Sequence, residues 1–82
     1  MNQGFDKQKK GDLQGAIAAY TEAIRLNPNF AQAYTNRGVV RADLGDNKGA
    51  ITDLQQAADI FKQQGKIEDA QKLLEIINQL QK

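Results

Sequence analysis

Carboxylates, lysines and tyrosines are the candidates for chemistry in this sequence, because its 82 residues include neither cysteine nor histidine. Those two absences remove the commonest general base, the commonest metal ligand and any disulfide. Acid–base catalysis by carboxylates needs two of them facing one concave site. Asp43, Asp46 and Asp53 are close in sequence, but Asp46 directly follows Gly45 and reads as a helix N-cap. Glu68-Asp69 sits where a helix begins, the place where acids favour the helix dipole. Glu75 falls on a polar helix face. No pair of carboxylates has a spacing that asks for a catalytic role. The segments GDLQGA and GDNKGA each carry two glycines, yet neither follows a strand or ends in Gly-Lys-Ser/Thr, so neither is a phosphate loop. Both read as tight turns between helices. The basic cluster DKQKKGD (residues 6–12) is flanked by acids and suits a helix C-terminus. The sequence therefore gives no reason to expect an enzyme, a metal or a cofactor.

Charge leads in the same direction. Eleven basic residues against ten acidic ones leave a net charge of +1, too balanced for a nucleic-acid or membrane partner. No apolar run approaches the roughly 18 residues of a membrane helix. The start, MNQGFDKQKK, lacks the apolar stretch of a signal peptide. The expectation is one small soluble domain, cytoplasmic by default.

The elements that must position any binding residue are helices. Ala, Gln, Lys, Leu and Ile dominate, β-favouring residues are scarce, and no alternating stretch is long enough for a strand. Apolar stripes at helical spacing run through Phe30–Leu44 and Lys48–Gln64. A third, from Ile67 to Leu80, is the most amphipathic. A short helix near Asn2–Lys10 and another over Leu13–Leu26 complete five, and short links between them predict antiparallel packing. Pro28 should end the helix that stops at Leu26, and Asn29, with Gln32 three residues on, predicts a capping box for the next one.

The chain also repeats itself. Shifted by 34 residues, Gly4 meets Gly38, Gly11-Asp12 meets Gly45-Asp46, and Gly15-Ala16-Ile17 meets Gly49-Ala50-Ile51. A partial third copy follows in Gly65, Ala70 and Leu74. Recurring Gly and Ala at fixed spacing predict close approach of paired helices, with Gly38 against the helix that carries Ala50.

Tyr34, Gly38, Gly45-Asp46, Ala50, Leu54 and Ala57 resemble a tetratricopeptide repeat, as do Gly4, Gly11-Asp12, Ala16, Tyr20, Ala23 and Pro28 before them. The resemblance implies an all-α fold: an α-α superhelix of about five antiparallel helices with a concave groove. It divides the chain into an N-terminally clipped repeat (1–29), a complete repeat (30–64) and a capping helix (65–82). Arg37 stands where the family has leucine, Arg41 where it has an inward aromatic, and Lys62 where it has its closing proline. In this family the first helix of each pair lines the groove. That places Phe5, Gln8 and Lys9 from the first copy, and Gln32, Thr35, Asn36, Val39 and Ala42 from the second, on the binding surface. Asn36 is the strongest single candidate, since its amide both donates and accepts. The carboxylate clamp of chaperone-binding members is not expected, because two of its positions fall on Met1 and Phe5 and only Asn36 matches.

The leading expectation is a non-catalytic module that binds a peptide or partner helix in this groove. The alternative is a structural module that self-associates into a homo-oligomer through incomplete repeat ends, with Ile17, Tyr20 and Ile24 exposed by the clipped first helix.

Overall fold

Pro28 cannot continue a helix and disfavours helical backbone at the residue before it. The helix preceding it stops at Leu26, with Asn27 in an extended C-cap conformation. In the computed structural model, which describes residues 2–82 apart from the side chains of Asn2, Gln3 and Phe5, five helices follow one another. They are α1 (Asn2–Lys9), α2 (Leu13–Leu26), α3 (Ala31–Asp43), α4 (Asn47–Gln63) and α5 (Ile67–Leu80). No strand occurs among the described residues. Each helix packs chiefly on its neighbours in sequence, giving a slab of 31 × 30 × 17 Å. None of the helices is long and apolar enough to cross a membrane.

The two Gly-Asp turns work alike. Asp12 accepts from the Gly15 N–H at 2.9 Å and Asp46 from the Gly49 N–H at 3.0 Å, capping α2 and α4. Gly45 adopts φ 86°, a left-handed turn that an L side chain would strain. The predicted capping box at α3 does not form. Phe30, which has no side-chain acceptor, occupies the N-cap position, and Asn27 Oδ1 takes the Asn29 N–H at 3.2 Å in a local turn, so that donor is not left for Gln32. Gln32 donates instead to Asn36.

The glycine–alanine repeat does what its spacing implied. A Cβ on Gly38 would lie 3.1 Å from Leu54 Cγ and 3.2 Å from the Ala50 carbonyl oxygen, so α3 and α4 approach backbone to backbone. Gly4 plays the matching part in α1, where any side chain would strike the Tyr20 ring. Short as it is, α1 therefore covers α2 well: Tyr20 is fully buried, and Ile17 and Ile24 are half-buried. The apolar face expected to lie open on α2 has lost its central residue to this contact.

The apolar core falls into two clusters. Ala16, Tyr20 and Val40 form one, flanked by Leu13 and Ile17. The larger one joins Leu54, Ala57, Ala58 and Phe61 of α4 to Ala70, Leu73 and Ile77 of α5. With Lys62 where a second proline would recur, α4 runs a turn further than α2. Its Ile60 is 3 % exposed, whereas the equivalent Leu26 of α2 is 70 % exposed. The extra turn thus becomes the bed for α5. That helix buries Ala70, Leu73 and Ile77 but leaves Ile67, Leu74 and Ile76 exposed, so its outer surface is less polar than a solvating cap requires.

Candidate binding surface

One stripe of α3 faces away from α4. Residues at helical spacing 32, 35, 36 and 39 share it, with 42 one turn on. Gln32 is exposed there, and Thr35, Asn36, Val39 and Ala42 are half-buried. Thr35 spends its hydroxyl on the Ala31 carbonyl at 2.9 Å, which leaves its methyl to the surface. These five residues are the predicted groove positions of the second copy, and they share one face of α3 by helical spacing. From the first copy, Gln8 is half-buried and Lys9 is exposed on α1. The remaining predicted position, Phe5, lies outside the described side chains, as does Met1 of the clamp comparison.

Part of this surface is engaged internally. The buried Tyr20 hydroxyl donates to Gln8 Oε1 at 2.9 Å, tying α1 to α2. Gln32 Nε2 donates to Asn36 Oδ1 at 3.0 Å. Burial pushes the Tyr20 phenol above its ordinary 10.0, while hydrogen bonding from Asn36 works in the opposite direction. Gln8 is thus committed to Tyr20 and Asn36 to Gln32, so two of the candidate positions serve the fold's own side chains.

A raised phenol pKa has a definite sign. The folded value exceeds the unfolded one, so the contribution of Tyr20 is complete below about pH 10 and is lost as pH rises through the folded value. Alkaline unfolding, followed by circular dichroism, is expected to begin above that point. In Tyr20→Phe the alkaline limb should flatten, at a cost near neutrality of about 1 kcal/mol for the lost hydrogen bond. An unchanged alkaline limb would show that Tyr20 is not the group responsible.

At Gln32 and Thr35 the same stripe of α3 faces α5 across a cleft of about 370 Å³. Gln32 and Thr35 form one wall, and Asp69, Lys72 and Ile76 of α5 the other, with Phe61 and Leu73 between them. Lys66 closes one end, its ammonium 6.0 Å from the Phe61 ring centroid. A smaller depression shares Gln32, Phe61 and Lys66 and continues to Asn27, Asn29 and Gln64. The α5 wall was absent from the sequence-based set, because Lys72 and Ile76 were assigned to a capping helix.

The two arginines that break the repeat pattern also have an explanation. Asp53 is 2 % exposed on the inner face of α4. Arg37 grips it with two bonds, Nε to Oδ2 at 2.9 Å and Nη2 to Oδ1 at 2.7 Å, and Arg41 Nη1 adds a third at 3.0 Å to Oδ2. Arg37 Nη1 also donates to Thr21 Oγ1 on α2 at 3.2 Å, and its guanidinium lies 5.5 Å from the Tyr34 ring centroid. Hydrogen bonding to Asp53 raises the Arg37 pKa above its ordinary value despite burial. This cluster joins α2, α3 and α4. The available signal was an acid at 53, between Ala50 and Leu54, opposite two misplaced arginines.

Comparison with known proteins agrees with this architecture. The family model for the TPR repeat matches residues 8–45, and that for the tetratricopeptide repeat matches residues 31–64. Together they span residues 8–64 and meet on α3. The chain belongs to the tetratricopeptide-repeat family. It is 38 % identical over 64 residues to Tetratricopeptide repeat protein 36 of Danio rerio, an alignment covering 78 % of this chain and 34 % of that protein. Protein FlbA of Caulobacter vibrioides is 43 % identical over 47 residues, covering 57 % of this chain and 8 % of that protein. The Small glutamine-rich tetratricopeptide repeat-containing protein 2 of Mycosarcoma maydis is 40 % identical over 55 residues, 67 % of this chain and 16 % of that protein. The tetratricopeptide-repeat chain described here thus spans about a third or less of each of these relatives. Repeats of this family generally mediate protein–protein interaction and are generally non-catalytic.

Proposed function

We propose that the chain is a non-catalytic interaction module that receives a peptide or partner helix on the face formed by α3 and α5. The observation that carries this reading is the α3 stripe. Five residues at helical spacing lie on it, one exposed and four half-buried, and two of them, Gln32 and Thr35, line a cleft with an apolar floor. A surface of this kind offers apolar area for affinity and amides for orientation, the combination by which helical grooves take up peptides. Fold membership supports interaction in general, and the apolar floor of the cleft supports locating it on this face. The division into a clipped repeat, a complete repeat and a closing helix belongs to the same proposal.

Partner footprinting tests it. A photo-crosslinking residue at Thr35 should capture a partner that the same residue at Gln55, on the exposed side of α4, does not. Val39→Glu should weaken capture at least about tenfold with an unchanged melting temperature, because a charge is then desolvated in the contact. Capture from Gln55 alone, or reproducible turnover of a substrate by the purified chain, would overturn the reading.

A further inference from the structure

We infer that the cluster of Arg37, Arg41 and Asp53 selects α4 over α2 as the partner of α3, and so keeps two copies of the chain from pairing crosswise. The repeat that builds the fold also makes its helices alike. The turns into α2 and α4 close with the same backbone bond, from the Asp12 N–H to the Lys7 carbonyl at 2.8 Å and from the Asp46 N–H to the Arg41 carbonyl at 2.9 Å. Ala16 and Tyr20 follow the first turn at the spacing at which Ala50 and Leu54 follow the second, and all four are fully buried. Gly38 of α3 sits against Leu54 and Ala50, and Gly4 of α1 sits against Tyr20. The short α1 thus holds on α2 the place that α3 holds on α4. Apolar packing alone gives the α3 of one copy little reason to prefer its own α4 to the α2 of another, and exchange of this kind is a characteristic failure of repeated units.

Position 53 separates the two helices. Its counterpart 34 residues earlier is Ala19, half-buried on α2. On α4 the Asp53 carboxylate takes three hydrogen bonds from the two guanidiniums. On α2 an incoming Arg41 would replace Lys7, whose ammonium lies 3.8 Å from Asp12 Oδ2, and would find that acid. Arg37 would find none. Ala19 is neutral, and Glu22, one turn further on, is already held by Arg25. A guanidinium carried into a helix contact without a carboxylate is strongly disfavoured. Leucine and tyrosine at 37 and 41 would pack on either helix, whereas the arginines match α4. Setting the register of a pairing is the best-attested use of buried ionic groups.

Sizing after refolding tests this on the full chain. Wild type and Arg37→Leu/Arg41→Tyr/Asp53→Leu are unfolded in urea, refolded over a range of protein concentrations and sized by light scattering. The neutral variant should regain its helix content yet dimerise with a dissociation constant at least about tenfold lower than that of wild type. Ala19→Asp supplies α2 with the missing acid while leaving the cluster intact. It should also strengthen dimerisation, whereas Ala19→Asn should not, because an amide does not neutralise Arg37. A folded neutral variant as monomeric as wild type would overturn the inference. So would an Ala19→Asp chain sized like Ala19→Asn, and that comparison decides the question if the neutral variant does not fold.

Discussion

Replacing Asp53 with alanine is expected to cost about 3–5 kcal/mol. The change leaves Arg37, whose side chain is 14 % exposed, and Arg41, at 28 %, without their counter-charge. Three hydrogen bonds to ionised groups disappear together. A domain of this length has a total stability of only roughly 4–12 kcal/mol at typical values per residue, so the variant should be largely unfolded or melt tens of degrees lower. Thermal and urea unfolding followed by circular dichroism measure the loss. Asp53→Asn should recover little of it, because a neutral amide cannot balance two guanidinium groups. The decisive companion is the triple variant Arg37→Leu, Arg41→Tyr, Asp53→Leu. It removes all the charges and restores family-type residues at the two arginine sites, so it should regain most of the lost stability, since well-packed apolar replacements of buried ion clusters are often neutral or stabilising. A triple variant as unstable as Asp53→Ala would show that the site cannot be packed with apolar groups.

The second large effect belongs to Tyr20. It is the largest fully buried side chain, and it is held by Gly4 of α1, by its bond to Gln8 and by the cluster with Ala16 and Val40. Tyr20→Ala should cost about 3–5 kcal/mol, as truncation of a buried aromatic usually does. The loss should be uneven along the chain. Hydrogen exchange is expected to accelerate most in α1 and α2, and less in α4 and α5, whose contacts belong to the other apolar cluster. Uniform acceleration through all five helices would mean that the two clusters unfold as one unit.

These two residues also show what could be read from the chain and what could not. The fold was legible because its determinants are local and repeated. Gly38 and Ala50, Gly45 and Asp46, and the stop at Pro28 each act within one turn or one helix pair, and a register of 34 residues makes them visible. Asp53 was not legible in the same way. Its partners lie 16 and 12 residues away on another helix, and helical periodicity registers a charge on an apolar stripe only as a flaw. Tyr20 and Gln8 are likewise 12 residues apart, so their bond depends on how α1 docks. The α3 stripe was legible as a set, because Gln32, Thr35, Asn36, Val39 and Ala42 share one helix face by spacing alone. The α5 wall of the cleft was not legible, because exposure of Ile67, Leu74 and Ile76 depends on how α5 rolls on α4, which its own amphipathic pattern leaves open. The absent Asn29–Gln32 box has a simpler cause: Asn27 Oδ1 takes the Asn29 N–H that the Gln32 side chain would have accepted.

The placement of the charged cluster affects how such a chain can be lengthened or spliced. Arg37, Arg41 and Asp53 all come from one helix pair, α3 and α4, and only the single bond to Thr21 reaches outside it. The neutralising group therefore travels with the charges it neutralises. Inserted into an unrelated array, or copied in tandem, the pair would bring its own counter-ion and ask of its new neighbour no more than one hydroxyl. A register shift by duplication would put Gln55 of one copy where Thr21 stands for the next, an amide still able to accept from the guanidinium. A buried ionic cluster, which would tie most cores to a single context, is here what makes the unit transplantable.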